Sequence, residues 1–209
     1  MKEDKCKICR QLGAKLFLKG ERCFSQKCAM VKRAYAPGPK KKRRSKGLSE
    51  YGKEQKEKQK LKRWYNLDER QFSRYVKEVL KGHKKTEDAE TALIKILESR
   101  LDNVVFRLGF ASSRPQARQM VSHGHFLVNE RRTNIPGYFL KKDDKVRVLP
   151  SSLKKAVFSN LATDLKKRQP PSWLSIDINQ LEAKVVASPS LEEAAPPVDI
   201  SLVFGFYSK

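Results

Sequence analysis

The sequence has little acidic charge and no long apolar segment. Of 209 residues, 46 are Lys or Arg and only 23 are Asp or Glu, which gives a formal net charge of +23. No run of eighteen apolar residues occurs, so the sequence predicts no membrane-spanning helix. It also lacks a Walker-type glycine-rich loop, a His-Glu-x-x-His motif and a nucleophile elbow. These absences remove the sequence support for the common classes of nucleotide hydrolase, metalloprotease and acyl transferase.

The basic charge is concentrated in the first 169 residues, which carry 44 basic and 18 acidic side chains. Such a field repels itself unless a polyanion neutralises it. Nucleic acid is the first candidate. An anionic membrane is a weaker one, because no segment combines a basic face with a strongly apolar, aromatic face.

No cysteine follows Cys28, and the four cysteines are spaced Cys6-x2-Cys9-x13-Cys23-x4-Cys28. Two close pairs joined by a short loop predict one structural zinc ion, held by four thiolates with no open coordination position. An iron–sulfur cluster, whose usual spacings differ, and unligated thiols remain as alternatives. Disulfides are disfavoured, because the start of the chain shows no apolar signal segment.

A basic run bounded by Pro and Gly occupies residues 36–47. As a free segment it is typical of a solvated linker, and its composition also fits a nuclear-localisation signal. With an RNA partner it becomes an arm that orders on phosphates. The predicted RNA-binding residues of this arm are Lys40, Lys41, Lys42, Arg43, Arg44 and Lys46.

Apolar periodicity predicts a mostly helical organisation from residue 49 to residue 121. A polar helix covers 49–63. Asp68 is predicted to cap a second helix and Thr86 to cap a third. The helical pattern of apolar residues then continues through residues 98–108. A short helix begins at Ser113, with Pro115 in its first turn, and buries Ala117, Met120 and Val121.

The remaining sequence, from residue 126 onward, predicts strands separated by turns. Strands are expected at 126–128 and 145–149, with a polar turn at 129–132 and another turn at Pro136-Gly137. A helix is expected from Ser151 onward. Further strands are expected at 173–178, 185–186 and 200–207.

Residues 98–149 resemble the RNA-binding module named after the fourth protein of the small ribosomal subunit. The stretch Glu98-Ser99-Arg100-Leu101-Asp102-Asn103-Val104-Val105-Phe106-Arg107, followed by Ser113-Arg114-Pro115-Gln116-Ala117-Arg118-Gln119, carries the likeness. Segments 47–52, 68–72 and 204–208 extend it to that ribosomal protein family, and the cysteines resemble its zinc-bearing bacterial variant.

The resemblance implies an α+β fold with three regions. Residues 1–47 would form a four-cysteine zinc knuckle and basic arm. Residues 48–97 with 150–209 would form a helical domain with C-terminal strands. Residues 98–149 would be an inserted α/β RNA-binding module with two helices and a short antiparallel sheet.

Arginine-rich positions of the module predict its RNA contacts, because the guanidinium fork suits phosphate and stacks on unpaired bases. On the Ser113 helix, Arg114 and Arg118 can share a polar face. The full set predicted for the module is Arg107, Arg114, Gln116, Arg118, Gln119, His123, Arg131 and Arg132.

Arg100-Leu101-Asp102 matches a short signature of pseudouridine synthases, some of which carry this module. We reject that enzyme class because only 60 residues follow Leu149, too few for its catalytic domain. Asp102 is expected to cap a helix, to pair with a nearby arginine or to hydrogen-bond within the module. A stand-alone RNA chaperone or rescue factor is the main alternative. A DNA-binding zinc finger is disfavoured, since no histidine pair follows the cysteines.

The resemblance implies a non-enzymatic, cytoplasmic constituent of the small ribosomal subunit. It would bind 16S rRNA as a primary binder, nucleate assembly of the body of the 30S subunit, and contribute to translational accuracy. The implied partners are neighbouring ribosomal proteins, especially the fifth, and messenger RNA near the channel through which it enters. No membrane and no small-molecule substrate are implied, and repression of its own messenger stays open.

Overall fold

The structure is a computed structural model that describes residues 4–39, 47–82, 88–159, 161–166, 169–178 and 180–208. The chain divides into two compact units, Met1–Glu90 with Ala195–Lys209, and Thr91–Ala194. The sequence predicted three regions instead, and the difference is clearest in the tail. Residues 150–194 belong to the same unit as the predicted RNA-binding module.

The first unit is helical. Its helices are α1 (Lys5–Leu12), α2 (Ala29–Lys32), α3 (Glu50–Trp64), α4 (Glu69–Gly82), the start of α5 (Ala89–Glu98), and the last helix, α10 (Ile200–Ser208). Side-chain caps explain where two of them begin. The Asp4 carboxylate accepts the Cys6 amide at 3.0 Å, and the Ser49 hydroxyl accepts the Gly52 amide at 3.2 Å.

The core of this unit includes one face of α4, as the sequence periodicity predicted. Phe72, Tyr75, Val76 and Val79 are all buried, whereas Leu80 is on the edge of the stripe and partly exposed. The tail helix α10 packs along α3 and α4.

The prediction of a strand over 200–207 is wrong, because these residues form helix α10. The Asp199 carboxylate accepts both the amide and the hydroxyl of Ser201, at 3.0 and 2.6 Å, and so caps the helix. A short apolar run does not distinguish a buried helix from a strand by periodicity. The aspartate before Ile200 was the signal for a helix.

The second unit combines short helices with one sheet. After α5 come α6 (Leu101–Arg107), α7 (Arg114–Ser122), α8 (Leu161–Lys166) and α9 (Leu191–Ala194). The strands are β1 (Phe126–Val128), β2 (Arg131–Thr133), β3 (Lys145–Val148), β4 (Leu174–Asp177) and β5 (Glu182–Val185). They form an antiparallel sheet in the order β2-β1-β3-β5-β4.

One apolar cluster joins the sheet to helices α6 and α7. Leu101, Val104, Ala117 and Phe126 are fully buried in it, and Trp173 packs with them from the segment before β4. The predicted inward face of the Ser113 helix is confirmed, because Ala117, Met120 and Val121 are all buried.

Three local predictions for this unit need correction. The polar turn at 129–132 is shorter than predicted, since Asn129 and Glu130 alone form a two-residue hairpin turn, with φ of 48° and 65°, and Arg131 begins β2. The helix predicted from Ser151 is instead two 3₁₀ turns, Pro150–Ser152 and Ala156–Phe158, followed by α8. The C-terminal strands β4 and β5 were assigned to the helical domain. They instead extend the sheet of the predicted RNA-binding module, because β5 pairs with β3.

No helix among the residues that the structure describes is long and apolar enough to cross a bilayer.

Candidate nucleic-acid interface

A buried ion pair lies at the start of α6. The Arg100 side chain is 1% exposed, and its Nε and Nη2 donate to the two Asp102 carboxylate oxygens at 3.1 and 2.7 Å. The backbone of this segment is also fixed, since the Leu101 and Asp102 amides donate hydrogen bonds to the carbonyls of Tyr138 and Pro136. The expectation that Asp102 pairs with an arginine is confirmed, and its carboxylate is enclosed rather than open to a substrate.

Glu98 gathers a second buried network around it. Its carboxylate accepts the Asn103 side-chain amide at 2.6 Å and the Arg107 guanidinium at 2.8 and 2.7 Å. Arg107 also donates to the Ala194 carbonyl at 2.9 Å. The structure therefore uses Arg107, predicted as an RNA contact, to tie α5, α6 and α9 together.

Arg114 is also internal. Its Nε donates to the Asn103 side-chain oxygen at 2.8 Å, and its guanidinium carbon is 4.6 Å from the centre of the Phe106 ring. The side chain is 6% exposed. Its predicted position on an exposed polar face is corrected here, because the partners that draw it inward lie one helix earlier in the chain.

The other predicted residues of α7 face outward to different degrees. Arg118 is 30% exposed, with its Nη1 3.7 Å from an Asp102 oxygen. Gln119 and His123 are exposed. The Gln116 side-chain oxygen accepts the amide and hydroxyl of Ser112, at 2.9 and 2.6 Å, so Gln116 acts as a cap for this helix.

The hairpin β1–β2 brings two more predicted residues to the end of α7. Arg131 and Arg132 are exposed. Arg132 donates from Nε to the Gly124 carbonyl at 3.0 Å and from Nη2 towards the His123 carbonyl at 3.4 Å. A cation at the carboxyl end of a helix also interacts favourably with the helix dipole.

A groove beside this hairpin adds residues that sequence reasoning missed. It encloses about 540 Å³ and is lined by Val128, Asn129, Arg131, Arg132, Thr133, Asn134, Ile135 and Tyr138. Ile135 and Tyr138 are exposed apolar side chains next to two guanidinium groups. Only the Pro136-Gly137 turn signalled this segment in the sequence, and a turn signal does not say which side chains it exposes.

Charge changes sign across the outer face of the sheet. Strand register aligns Arg132, Leu127, Arg147 and Glu182 in one cross-strand row. At the β5 side Lys145 pairs with Glu182 at 2.8 Å, so some of the positive charge is neutralised there. A polyanion is therefore favoured at the β2 side, where the arginines and the groove lie.

Helix α4 carries a second basic surface, in the first unit. Arg70, Arg74, Lys77 and Lys81 recur at helical spacing and are exposed. With Ser73 and Glu78 they line a groove of about 590 Å³. The periodicity that predicted the apolar face of this helix also places these cations together on a second face.

The four cysteines line one small cavity with Leu18, Lys19 and Met30 among its other walls. Cys9, Cys23 and Cys28 are buried, and none of the four cysteines forms a disulfide. Burial is the main cause that raises the pKa of the Cys9 thiol. A hydrogen bond from the Leu16 backbone to the sulfur opposes this shift, and nearby Cys23, Cys6 and Cys28 add to it. The Lys19 amide donates to the Cys23 sulfur at 3.4 Å.

The donor chemistry of this cavity suits zinc, since thiolates are its preferred ligands in structural sites. The positions of the side chains give less support for a metal site. Among the described residues, no group of three or more His, Cys, Asp or Glu side chains is gathered into a metal-holding geometry. The zinc knuckle of the predicted fold is thus not shown by the structure. The predicted contacts Lys40 to Lys46 lie outside the described residues.

A helix pair on an antiparallel sheet, with arginines at the helix end and hairpin, defines an RNA-binding module of the S4 type. Residues 1–98 match the family described as ribosomal protein S4/S9 N-terminal domain, and residues 99–146 match the S4 domain. The chain belongs to the small ribosomal subunit protein uS4 family. This family is structural and non-enzymatic, so the pseudouridine synthase alternative is set aside.

Curated relatives are similar along almost the whole chain. The small ribosomal subunit protein uS4 of Thermotoga petrophila is 48% identical over 210 residues, covering 98% of this chain and 96% of the relative. The uS4 proteins of Kosmotoga olearia and Halothermothrix orenii are 47% and 45% identical over 204 residues, with the same two coverages.

Proposed function

We propose that this chain is a structural constituent of the small ribosomal subunit that binds 16S rRNA directly, in the cytoplasm, as a primary binder. The observation that carries the proposal is the arginine-lined groove of an S4 module, in a chain whose uS4 relatives match it from end to end. The match of residues 1–98 to the ribosomal N-terminal domain, in addition to the S4 domain, argues against a stand-alone chaperone built on the module alone.

Binding would be dominated by phosphate contacts. Arg118, Arg131 and Arg132 would make them, together with Gln119 and His123; the support is that all five side chains are at least partly exposed. Arg107, Arg114 and Gln116 would act indirectly, by fixing the helices that present the others. Displaced counterions would provide most of the affinity, and the shape of a folded RNA junction would provide selectivity.

The basic surface of α4 and the arm at Lys40, Lys41, Lys42, Arg43, Arg44 and Lys46 would extend this contact beyond the module. The described cations of α4 repeat along one face for about three turns. An extended row of cations suits a continuous sugar–phosphate backbone better than a single small anion.

We also propose one structural zinc ion, held by Cys6, Cys9, Cys23 and Cys28. Support comes from their common cavity and from the burial of three of the four thiols. When bound, zinc would supply the positive charge that lets four thiolates lie close together. The Lys19 amide would then orient the Cys23 sulfur, as outer-shell donors do in metal sites.

Finer roles follow from the family and are proposed on that basis. The chain would nucleate assembly of the body of the 30S subunit and contribute to translational accuracy. Its protein neighbours would include the fifth small-subunit protein, and messenger RNA would pass near it where the messenger enters the subunit. None of these roles requires a catalytic group.

The deciding experiment is a salt-series titration of the purified chain against protein-free 16S rRNA, with bulk transfer RNA as competitor. We expect binding that survives excess competitor and weakens steeply with salt. Binding that the competitor abolishes at moderate salt would reject the primary-binder role and would favour a non-specific RNA chaperone.

A further inference from the structure

Two aromatic rings are stacked at the surface of the cysteine-containing module. The centres of the Phe17 and Phe24 rings are 4.9 Å apart, with 30° between the ring planes. Phe24 is 71% exposed, more than any other large hydrophobic side chain among the described residues. The Phe24 ring thus packs against Phe17 on one side and exposes most of its surface to solvent.

The backbone holds both rings in place. Phe17 has φ of 53° and lies between Leu16 and Leu18, both of which are buried. Phe24 follows the 3₁₀ turn Gly20–Cys23, and its amide donates to the Glu21 carbonyl at 3.0 Å. Because the backbone at Phe24 is already held by this hydrogen bond, less conformational entropy is lost when a ligand stacks on its ring.

One cation contacts the stacked pair, and two more lie close to Phe24 in the sequence. The Lys15 ammonium is 5.4 Å from the centre of the Phe17 ring, a cation–π distance. Arg22 and Lys27 flank Phe24 in the chain and are exposed, and Glu21 is the one acidic residue between Lys15 and Lys27. An aromatic face within a positive field is the arrangement by which proteins bind single-stranded nucleic acid.

We propose that the Phe17–Phe24 pair (the aromatic platform) binds an unpaired base of the ribosomal RNA, which stacks on the exposed face of Phe24. Lys15, Arg22 and Lys27 hold the phosphates on either side of that base. This inference rests on the proposed rRNA-binding function and adds a base-stacking contact outside the S4 module. The charge around the platform favours RNA over an apolar surface of a neighbouring protein.

The test compares the full-length chain with Phe24→Leu and Phe24→Trp in titrations against 16S rRNA, at several salt concentrations. Leucine keeps an apolar side chain without a π face, and tryptophan keeps the face. Val31→Ala is the matched control, because Val31 is 62% exposed in the same cysteine-containing module. All variants are first checked for unchanged circular dichroism and metal content.

We expect Phe24→Leu to weaken binding about tenfold, in the range of a single base–aromatic stack, with an unchanged salt slope. Phe24→Trp and Val31→Ala should bind as the wild type does. In Phe24→Trp, RNA should quench the additional tryptophan emission and shield it from acrylamide.

Three results would overturn the inference. One is a Phe24→Leu variant that binds within twofold of wild type. Another is a tryptophan at position 24 that stays accessible to acrylamide in the complex, which would point to a protein partner for this surface. A wild-type chain that fails to bind 16S rRNA would overturn the inference and the proposed function together.

Discussion

Arg132 donates its Nε proton to the Gly124 carbonyl oxygen at 3.0 Å, and so ties the β1–β2 hairpin to the end of α7. Gly124 has φ of 68°, and a Cβ added there would lie 2.7 Å from the Arg132 Nε. The close approach of this guanidinium therefore depends on a residue with no side chain. The same hydrogen bond orients Arg132, one of the exposed arginines of the proposed RNA surface.

Gly124→Ala tests this dependence. We expect the free energy of unfolding to fall by about 1–2 kcal/mol, because alanine disfavours positive φ. RNA affinity should also fall, since the Arg132 guanidinium must move. Urea denaturation and the rRNA titration measure the two effects. Gly47→Ala is the control, because a Cβ at Gly47 meets no atom of the described residues within 4 Å; equal stability of both variants would contradict the prediction.

Arginines of the module separate into two classes that mutation should distinguish. Arg118→Ala with Arg131→Ala should leave stability nearly unchanged but reduce the salt slope of RNA binding by roughly 0.9 per lost phosphate contact. Arg114→Ala should instead destabilise the module by about 3 kcal/mol or more, because it removes a buried cation from the Asn103–Glu98 network. Thermal unfolding and salt-series titration provide the two readouts. A normal salt slope in the double variant would place the contact elsewhere.

The sequence predicted the elements whose signals are local. The bounds of α3, α4 and α7 lie close to those predicted from composition, cap residues and apolar periodicity, and the buried stripe of α4 lies where it was expected. Prediction from the sequence failed where the structure depends on residues that are distant in the chain. Nothing near Arg114 in the chain shows that Asn103 will draw it inward, and nothing in 182–185 shows that this strand will pair with β3.

The site followed the same rule. Arg131 and Arg132 were predicted from residue type alone and line the groove, whereas Ile135 and Tyr138 were not predicted, because their place in the groove depends on how the loop after β2 folds. No local pattern predicted the hydrogen bonds of Arg107 to Glu98 and to the Ala194 carbonyl, 87 residues away.

Glu69 should make the first unit sensitive to acid. Burial alone would raise the pKa of this carboxyl, but hydrogen bonds from Lys58, Lys62 and Tyr207 lower it to about 2 from an ordinary 4.5. Because the folded-state value is the lower one, the stabilisation is complete above pH 4.5 and is lost as the pH falls towards 2. The unfolding temperature should therefore drop across this window.

Glu69→Gln provides the check on that assignment. It removes the titrating group and should flatten the acid side of the stability profile, while lowering stability at neutral pH, where Lys58 and Lys62 lose their partner at 2.8 and 2.6 Å. Glu50→Gln is the control, an exposed glutamate in the first turn of α3. An acid limb of the same steepness in Glu69→Gln would assign the transition to another carboxyl.

Cys9→Ser tests the proposed zinc site. Cys9 is buried beside the other three thiols, and a hydroxyl is a poor zinc ligand, so the variant should lose most of its bound metal. Since metal binding and folding are coupled in small sites, residues 5–32 should lose their dispersed amide signals while those of 98–149 persist. Metal analysis of the wild type should give one zinc ion per chain, and a chelator should reproduce the spectrum of the variant.

The exposed Val31→Ala change is the control and should keep its zinc. Full metal content and unchanged amide signals in Cys9→Ser would remove Cys9 from the ligand set, and a metal-free wild type that keeps these signals would show that the thiols fold the module without zinc.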